Sequence, residues 1–187
     1  MRILQAAYLF APLLVASGLS GIVLRLSAWE RLRRPIDAGR SWRGHRLFGD
    51  NKTWRGIVVA VVGCTIGVAI QMAIGHRVGR VALVDYREPS TIALGMVMGL
   101  GATLGELPNS FVKRQLGIAP GKTAGGWTRV LFYIWDQVDL VIGAWPLVAL
   151  WVAPDLVLVV ASVGLVLALH PVVSVIGYII GARRSAR

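Results

Sequence analysis

Cysteine and acidic residues are scarce in this chain of 187 residues. The single cysteine, Cys64, excludes an intramolecular disulfide framework and leaves no cysteine cluster that could bind zinc. Nine Asp and Glu stand against 20 Lys and Arg, so the formal net charge is +11. Only 16% of the residues are charged and 56% are hydrophobic. This composition excludes a disordered chain and argues against a water-soluble globule.

The basic excess has two physical interpretations. A nucleic-acid-binding domain gathers Lys and Arg on one surface, but long uncharged runs do not suit such a domain. In a membrane protein the same excess sets the topology and attracts anionic lipid head groups. We therefore expect an integral membrane protein that binds no nucleic acid. Its arginine-rich stretch 31–46 is expected to contact anionic lipid head groups.

Long runs without a charged residue predict membrane-spanning helices, which need about 20 residues to cross about 30 Å of hydrocarbon. Uncharged runs of 22, 20, 17 and 27 residues follow Arg2, Arg55, Glu88 and Asp155. Between Asp139 and Asp155 only 15 residues are uncharged, so a spanning helix there must extend back to Arg129 and include Asp136. We predict an all-α integral membrane protein with five transmembrane helices, forming a single membrane-embedded domain over residues 1–187.

The distribution of basic residues predicts the orientation of these helices. Segment 25–55 carries nine Lys and Arg, and positively charged loops remain in the cytoplasm. Segments 108–129 and 183–187 are then cytoplasmic too, and this side holds 16 of the 20 basic residues. We expect a protein of the cell membrane with its N-terminus outside the cell. Its active site is expected to face the cytoplasm and to be formed by two functional cytoplasmic loops. The uncharged run that follows Arg2 is expected to remain as a membrane-spanning helix. Cleaving it as a signal peptide would export the nine basic residues of segment 25–55.

Polar segments that are distant in sequence reach the same membrane face in this topology. They are residues 48–56, 105–114, 120–122 and 136–139. Because only the topology brings them together, their clustering on one side predicts a site at the membrane–water interface.

Asp136 and Asp139 are the most informative pair. A spacing of three places both carboxylates on one helix face, and an ionised Asp inside a bilayer costs about 3 kcal/mol. Mg²⁺ commonly binds one or two carboxylates together with substrate phosphates, so we expect the pair to bind Mg²⁺. The alternative is that Lys or Arg side chains from the cytoplasmic loops neutralise the pair.

Pro108 is expected to end the third helix. Asn109 or Ser110 would then cap a short second helix. The free N–H groups of that helix, together with Lys113 and Arg114, would form an anion site. The alternative is that the two basic residues serve only the topology.

A turn before the second span is a further candidate phosphate site. Asp50, Asn51 and Lys52 place a basic residue beside polar groups, although the GxxxxGK[ST] pattern of a P-loop is absent. Lys122, in a second turn, joins them as a candidate substrate-binding residue. The alternative for this turn is that it is only a solvated interfacial turn. Glu106, at the cytoplasmic end of the third span, is a further candidate site residue, and its alternative is an ion pair with a loop arginine.

Three segments resemble the conserved blocks of a known enzyme family. FGDNKTWRG at 48–56, GELPNSFVKRQLGI at 105–118 and DQVDLVIG at 136–143 are similar to the CDP-archaeol synthase branch of the CTP-dependent phosphatidate cytidylyltransferases. The last block alone is weak evidence for membership of this family, but the occurrence of all three blocks in the same order is specific evidence. Bacterial phosphatidate enzymes carry His-Gly-Gly before the aspartates, whereas residues 123–127 read TAGGW. This departure favours the archaeol-type branch.

The resemblance implies a Mg²⁺-dependent membrane enzyme of phospholipid biosynthesis. It would transfer CMP from CTP to a membrane lipid phosphate, archaetidic-acid-type or phosphatidate-like, forming a CDP-activated lipid and pyrophosphate. The implied catalytic residues are Asp136, Asp139, Glu106 and Lys113, and the two aspartates are also the implied metal ligands. The implied substrate-binding residues are Asp50, Asn51, Lys52, Asn109, Ser110, Arg114 and Lys122. A homo-oligomer is compatible with the sequence.

A small cation-coupled transporter is the alternative function, because intramembrane carboxylates also bind cations in transit. In a transporter, acidic residues should continue through the membrane. Here no Asp or Glu lies between Asp139 and Asp155, and the polar segments cluster on one face. The sequence therefore favours an enzyme at the interface.

Single cysteines test the predicted topology. In a Cys64→Ser background, Ser41→Cys and Ser185→Cys are expected to resist an impermeant thiol reagent in intact cells, because both positions lie on the cytoplasmic side. Ser90→Cys is expected to react. The opposite labelling pattern would reverse the orientation.

Overall fold

The computed structural model describes residues 1–26, 28–122 and 125–179 of the chain. Within these ranges the long helices are α1 (Arg2–Arg25), α2 (Trp54–Ile74), α3 (Ile92–Gln115), α4 (Thr128–Val148) and α5 (Leu156–Ile179). The predicted all-α fold with five helices is confirmed. The predicted cytoplasmic segment 183–187, which contains Ser185, lies outside the described residues.

Four of the helices, α1 to α4, are long and apolar enough to cross a membrane. The apolar stretch measured in α5 is shorter, Leu156–Leu169, but the helix continues to Ile179 and is about 36 Å long at 1.5 Å per residue. Because α4 begins at Thr128, Asp136 and Asp139 do lie within a membrane-spanning helix.

Successive helices run in opposite directions, so the α1–α2 and α3–α4 loops share one end of the bundle. At this end the ring of Trp42 stacks on Phe111, with the centroids 5.6 Å apart. At the opposite end Arg2 forms an ion pair of 2.7 Å with Asp155. The two strongly basic loops therefore lie on one side of the bundle, as expected. That this side faces the cytoplasm stays a prediction.

The α1–α2 loop contains the only strands in the described ranges. Strands β1 (Ser41–Trp42) and β2 (His45–Arg46) pair antiparallel, with Ser41 opposite Arg46. Single-turn 3₁₀ helices occur at Glu30–Leu32, Gly75–Arg77, Gly79–Val81 and Pro89–Thr91. At the end of the loop, the Thr53 hydroxyl accepts a hydrogen bond of 3.2 Å from the Gly56 N–H and caps α2.

The interior of the bundle is apolar below the loops. The rings of Phe10 in α1 and Trp145 in α4 meet edge to face with centroids 5.3 Å apart. The Trp145 Nε1 donates a hydrogen bond of 2.8 Å to the Ser162 hydroxyl in α5. Val141 and Val148, on the same side of α4, are fully buried. Helices α1, α4 and α5 are joined by this packing.

Glycines set the spacing between α3 and α4. A Cβ added at Gly105 would collide with the backbone oxygen of Asp139 and would lie 2.5 Å from the Cα of Gly143. A Cβ added at Gly143 would lie 2.5 Å from the backbone oxygen of Gly101. Small residues allow helix backbones to approach this closely in membranes. The polar side chains one turn away are thereby brought within hydrogen-bonding range across the crossing.

The expectation that Pro108 ends the third helix is wrong. Helix α3 continues through Pro108 to Gln115. Proline removes one backbone hydrogen bond, but membrane helices tolerate this where a neighbouring helix packs against them, as α4 does at Gly105. Asn109 is therefore an interior helical residue, and no helix N-terminus exists here to bind an anion.

The glycine contact predicts a stability difference between two alanine variants. Gly143→Ala is expected to lower the free energy of unfolding by about 1–3 kcal/mol, because α4 must move away from α3. Gly164→Ala in α5, where an added Cβ meets nothing within 4 Å, is the matched control and should be neutral or slightly stabilising. Thermal unfolding in detergent measures both. Equal effects would contradict a tight α3–α4 crossing.

Candidate functional site

Two aspartates of α4 converge on one amide of α3. The Asn109 Nδ2 donates hydrogen bonds of 2.7 Å to Asp136 Oδ1 and 2.9 Å to Asp139 Oδ2. Asp139 is 5% exposed, whereas 46% of the Asp136 side chain is accessible. Both carboxylates therefore lie on one face of α4, as their spacing predicts, and that face meets α3.

Lys113 brings a positive charge to the outer aspartate. Its ammonium forms an ion pair with Asp136 and lies 5.3 Å from the ring centroid of Phe132. The pair is thus partly neutralised by a lysine, but by one on α3 and not on a loop. Among the described residues, no Lys or Arg forms an ion pair with Asp139. Within the part of the chain that the structure describes, the hydrogen-bond donor to this buried carboxylate is a neutral amide.

Lys52 connects the α1–α2 loop to the same region. Its ammonium forms an ion pair with Glu106, and both side chains are largely shielded from water. Glu106 lies three residues before Asn109 on α3, so both side chains lie on the side of the helix that meets the aspartates. The structure therefore brings together six predicted residues, which we call the carboxylate cluster: Lys52, Glu106, Asn109, Lys113, Asp136 and Asp139.

Other predicted residues lie apart from this cluster. Asp50 forms an ion pair of 2.9 Å with Arg46, and its side chain is 71% exposed. Asn51 and Lys122 are exposed, and their side chains make no hydrogen bond or ion pair within the described ranges. Ser110 is buried on α3, one turn beyond Glu106 and on the same side of the helix.

Lys113 and Arg114 point in different directions, because successive residues of an α-helix are about 100° apart. Lys113 faces α4, whereas Arg114 faces the α1–α2 loop. There it lines a cavity of about 220 Å³ beside Gly49 and Pro120. The two neighbours in sequence therefore contribute to two places in the structure.

Asp37, which was not among the predicted site residues, organises the loop above the site. Its carboxylate accepts hydrogen bonds of 3.0 Å from the backbone N–H groups of Gly39, Phe48 and Gly49, and one of 2.7 Å from Arg46. Burial alone would raise the pKa of Asp37, but these hydrogen bonds hold it well below its usual range. The Asp-x-Gly turn sequence was the available signal.

The chain resembles one protein family over nearly its whole length. Residues 3–185 match the family model described as CarS-like, CDP-archaeol synthase. The chain is 36% identical over 157 residues to a CDP-archaeol synthase of Methanospirillum hungatei, covering 80% of this chain and 87% of the relative. It is 35% identical over 152 residues to one of Methanopyrus kandleri, covering 79% and 76%.

A solved structure shares the fold. It is described as an intramembrane enzyme for archaeal membrane lipids biosynthesis. The two structures superpose with a TM-score of 0.68 at 26% sequence identity, covering 92% of this chain and 94% of the other.

The Asp37 contacts predict that replacing Asp37 lowers the free energy of unfolding by the same amount at all pH values near neutrality. Because its pKa is lower in the folded chain, ionised Asp37 stabilises the fold above about pH 4, and this is lost as pH falls through the folded pKa. Asp37→Asn is expected to cost about 3 kcal/mol at both pH 7 and pH 5.

Asp50→Asn is the matched control, because Asp50 is the exposed partner of the same arginine. It should cost less than about 1 kcal/mol. Thermal unfolding in detergent compares the two variants. A small loss for Asp37→Asn, similar to that of Asp50→Asn, would refute the organising role.

Proposed function

The chain belongs to the CarS-like CDP-archaeol synthase family, and on this premise we propose that it transfers CMP from CTP to a membrane lipid phosphate. The proposed products are a CDP-activated lipid and pyrophosphate. We propose an archaetidic-acid-type phosphate as the acceptor, in keeping with the names of the relatives. The spanning helices make the protein an integral membrane protein. We further propose that the carboxylate cluster faces the cytoplasm, where CTP is available.

The convergence of Asp136 and Asp139 on Asn109 is the observation that carries this proposal. The cluster extends from the centre of α4, at Asp139, toward the end of the bundle that carries the α1–α2 and α3–α4 loops. Deeper in α4, Val141, Ala144 and Val148 are fully buried and apolar. A transporter needs polar groups along the whole path, and the described residues of α4 do not provide them beyond Asp139. The arrangement supports an enzyme acting at the interface.

Mg²⁺ is the proposed cofactor, and the donor atoms fit it. Two carboxylate oxygens converge on one point, and Asn109 Oδ1 is buried without a hydrogen-bond partner in the described ranges. If the Asn109 amide rotates so that its oxygen replaces its nitrogen beside the carboxylates, three oxygens face the same point. No group of three His, Cys, Asp or Glu converges among the described residues. Mg²⁺ commonly takes one or two carboxylates and completes its ligands with water and phosphates.

The reaction requires charge neutralisation more than proton transfer. An oxygen of the lipid phosphate attacks the α-phosphorus of CTP, and the bond to the β-phosphate oxygen breaks, so pyrophosphate leaves with the electron pair. The attacking oxygen is already anionic, and no strong general base is needed. Bound Mg²⁺ would neutralise nucleotide charge and align the phosphates.

The chain's own residues supply the remaining positive charge and the orientation. Lys113 and Lys52 are held at the cluster by ion pairs with Asp136 and Glu106, so both ammonium groups are already positioned for phosphate oxygens. Asn109 holds the two aspartates at a fixed separation. Four further substrate-binding roles stay proposals that rest on the resemblance alone. They are those of Ser110, Asp50, Asn51 and Lys122.

The buried aspartate gives the sharpest test. Asp139→Asn is expected to reduce CDP-lipid formation in Mg²⁺ at least about 100-fold, because a metal ligand and a charge needed in the transition state are both lost. Its thermal stability in EDTA should be unchanged or higher, because a buried carboxylate without an ion pair has been removed. Asp136→Asn should lose activity equally, but it leaves Lys113 unpaired and should be less stable.

Asp155→Asn, at the opposite end of the bundle, is the matched control and should keep wild-type turnover. Labelled CTP with a panel of lipid phosphates measures activity in every variant. Full activity of Asp139→Asn or Asp136→Asn would exclude the pair as essential metal ligands.

A further inference from the structure

The α1–α2 loop carries more positive charge than the site and the loop's own ion pairs use. Segment 26–55 contains eight basic and three acidic residues. Every acidic residue is already paired with a basic one: Asp37 and Asp50 with Arg46, and Glu30 with Arg33 and Arg55. Four arginines are exposed, and within the described ranges their side chains form no ion pair and no hydrogen bond: Arg31, Arg34, Arg40 and Arg43.

Two of these unpaired arginines lie beside exposed tryptophans where the loop joins its helices. Trp29 follows the end of α1 and immediately precedes the 3₁₀ helix that contains Arg31. At the first residue of α2, the Trp54 N–H donates a hydrogen bond of 3.1 Å to the carbonyl oxygen of Arg34. Both tryptophans are about half exposed. Because α1 and α2 are neighbouring membrane-spanning helices, both pairs lie where these helices leave the hydrocarbon.

A third pair lies on the hairpin. The guanidinium of Arg43 is 4.7 Å from the ring centroid of Trp42, which is also about half exposed. Trp42 stacks on Phe111, four residues before α3 ends at Gln115. The hairpin is therefore held against the end of α3. We call the three pairs together the arginine–tryptophan surface: Trp29, Arg31, Arg34, Trp42, Arg43 and Trp54.

The chemistry of this surface fits lipid head groups. Tryptophan is enriched where hydrocarbon meets water, because its ring is apolar and its N–H is polar. Each Lys or Arg near an anionic membrane surface strengthens binding by about fivefold. Leu26 and Leu32, in the same stretch, are exposed as well. A free phosphate ion would not cover these apolar side chains, whereas the head-group layer of a bilayer covers both the leucines and the rings.

The opposite end of the bundle lacks this combination. Residues 75–91, which join α2 to α3, contain three arginines, two acidic residues and no tryptophan. Arg80 and Arg87 are exposed there, with Asp85 and Glu88 in the same loop. The acidic side chains offset most of the positive charge. An attraction for anionic lipid is therefore expected at the α1–α2 loop and not equally at both ends.

We propose that the arginine–tryptophan surface binds the anionic head groups of the adjacent leaflet and gathers the lipid phosphate acceptor beside the carboxylate cluster. The acceptor is itself an anionic lipid, so the same attraction raises its local concentration. Lys52, two residues before Trp54, joins this surface to the cluster through its ion pair with Glu106. The gathering of the acceptor rests on the proposed function, whereas the binding of head groups does not.

Lipid association is measured without turnover. The full-length protein is reconstituted in vesicles of phosphatidylcholine and phosphatidylglycerol in equal amounts. Electron spin resonance of spin-labelled forms of each lipid then reports which lipid lies against the protein. The double variant Arg31→Gln/Arg34→Gln is expected to lower the preference for phosphatidylglycerol at least about twofold, because two unpaired charges are lost. Salt should weaken the wild-type preference in the same way.

The matched control removes the same charge at the opposite end of the bundle. Arg80→Gln/Arg87→Gln should leave the lipid preference unchanged. Arg31→Lys/Arg34→Lys should also keep it, because the surface attracts head groups by charge.

Turnover tests the gathering of the acceptor. In Arg31→Gln/Arg34→Gln the KM for the lipid phosphate, expressed as its fraction of the vesicle lipid, is expected to rise at least about threefold. The kcat and the KM for CTP should not change, because neither arginine touches the carboxylate cluster. If this variant does not fold, Arg43→Gln on the hairpin should change the lipid preference and the KM in the same direction.

Four results would overturn the proposal. They are an unchanged lipid preference in Arg31→Gln/Arg34→Gln, an equal loss in the control at the opposite end, a loss in the lysine variant, and an unchanged KM for the lipid phosphate. A wild-type protein that prefers phosphatidylglycerol through these arginines yet forms no CDP-lipid would refute the proposed function and leave the head-group surface standing. Normal CDP-lipid formation with no lipid preference would refute the surface alone.

Discussion

The close crossing of α3 and α4 is the constraint on which the site depends. Because Gly105 and Gly143 bring the two backbones into contact, Asn109 reaches both aspartates of the facing helix. A wider crossing would leave Asp139 buried without any donor, at a cost that a membrane helix cannot readily bear. At this contact α3 packs against α4, and α3 continues past its proline to Gln115.

The α1–α2 loop completes the site from above. Asp37 binds three backbone N–H groups and Arg46, and so turns a basic, mostly exposed loop into a fixed wall. From this wall Lys52 reaches Glu106. Positive charge is thus arranged at two depths, with lysines at the carboxylate cluster and Arg114 further out. This arrangement suits a reaction between two polyanions that arrive from opposite sides.

Local patterns in the sequence predict most of the fold and the centre of the site. Hydrophobic run length gives five helices, and the spacing of Asp136 and Asp139 gives their common face. The continuation of α3 past Pro108 was missed because packing against α4 overrides the local preference of proline. Asp37 was missed because its role arises from a tertiary turn. That Lys113 faces α4 and Arg114 faces the α1–α2 loop follows only from the tertiary packing around α3.

The proposed role of Asp136 and Asp139 is to hold a divalent cation that carries the nucleotide. A structure of the protein with Mn²⁺ and a non-hydrolysable CTP analogue tests it directly. If the two aspartates hold the cation, an anomalous Mn²⁺ signal is expected between their carboxylates, with the α-phosphate beside it. Asp139 bonded to Asn109 alone, with the metal and the phosphates elsewhere, would contradict it.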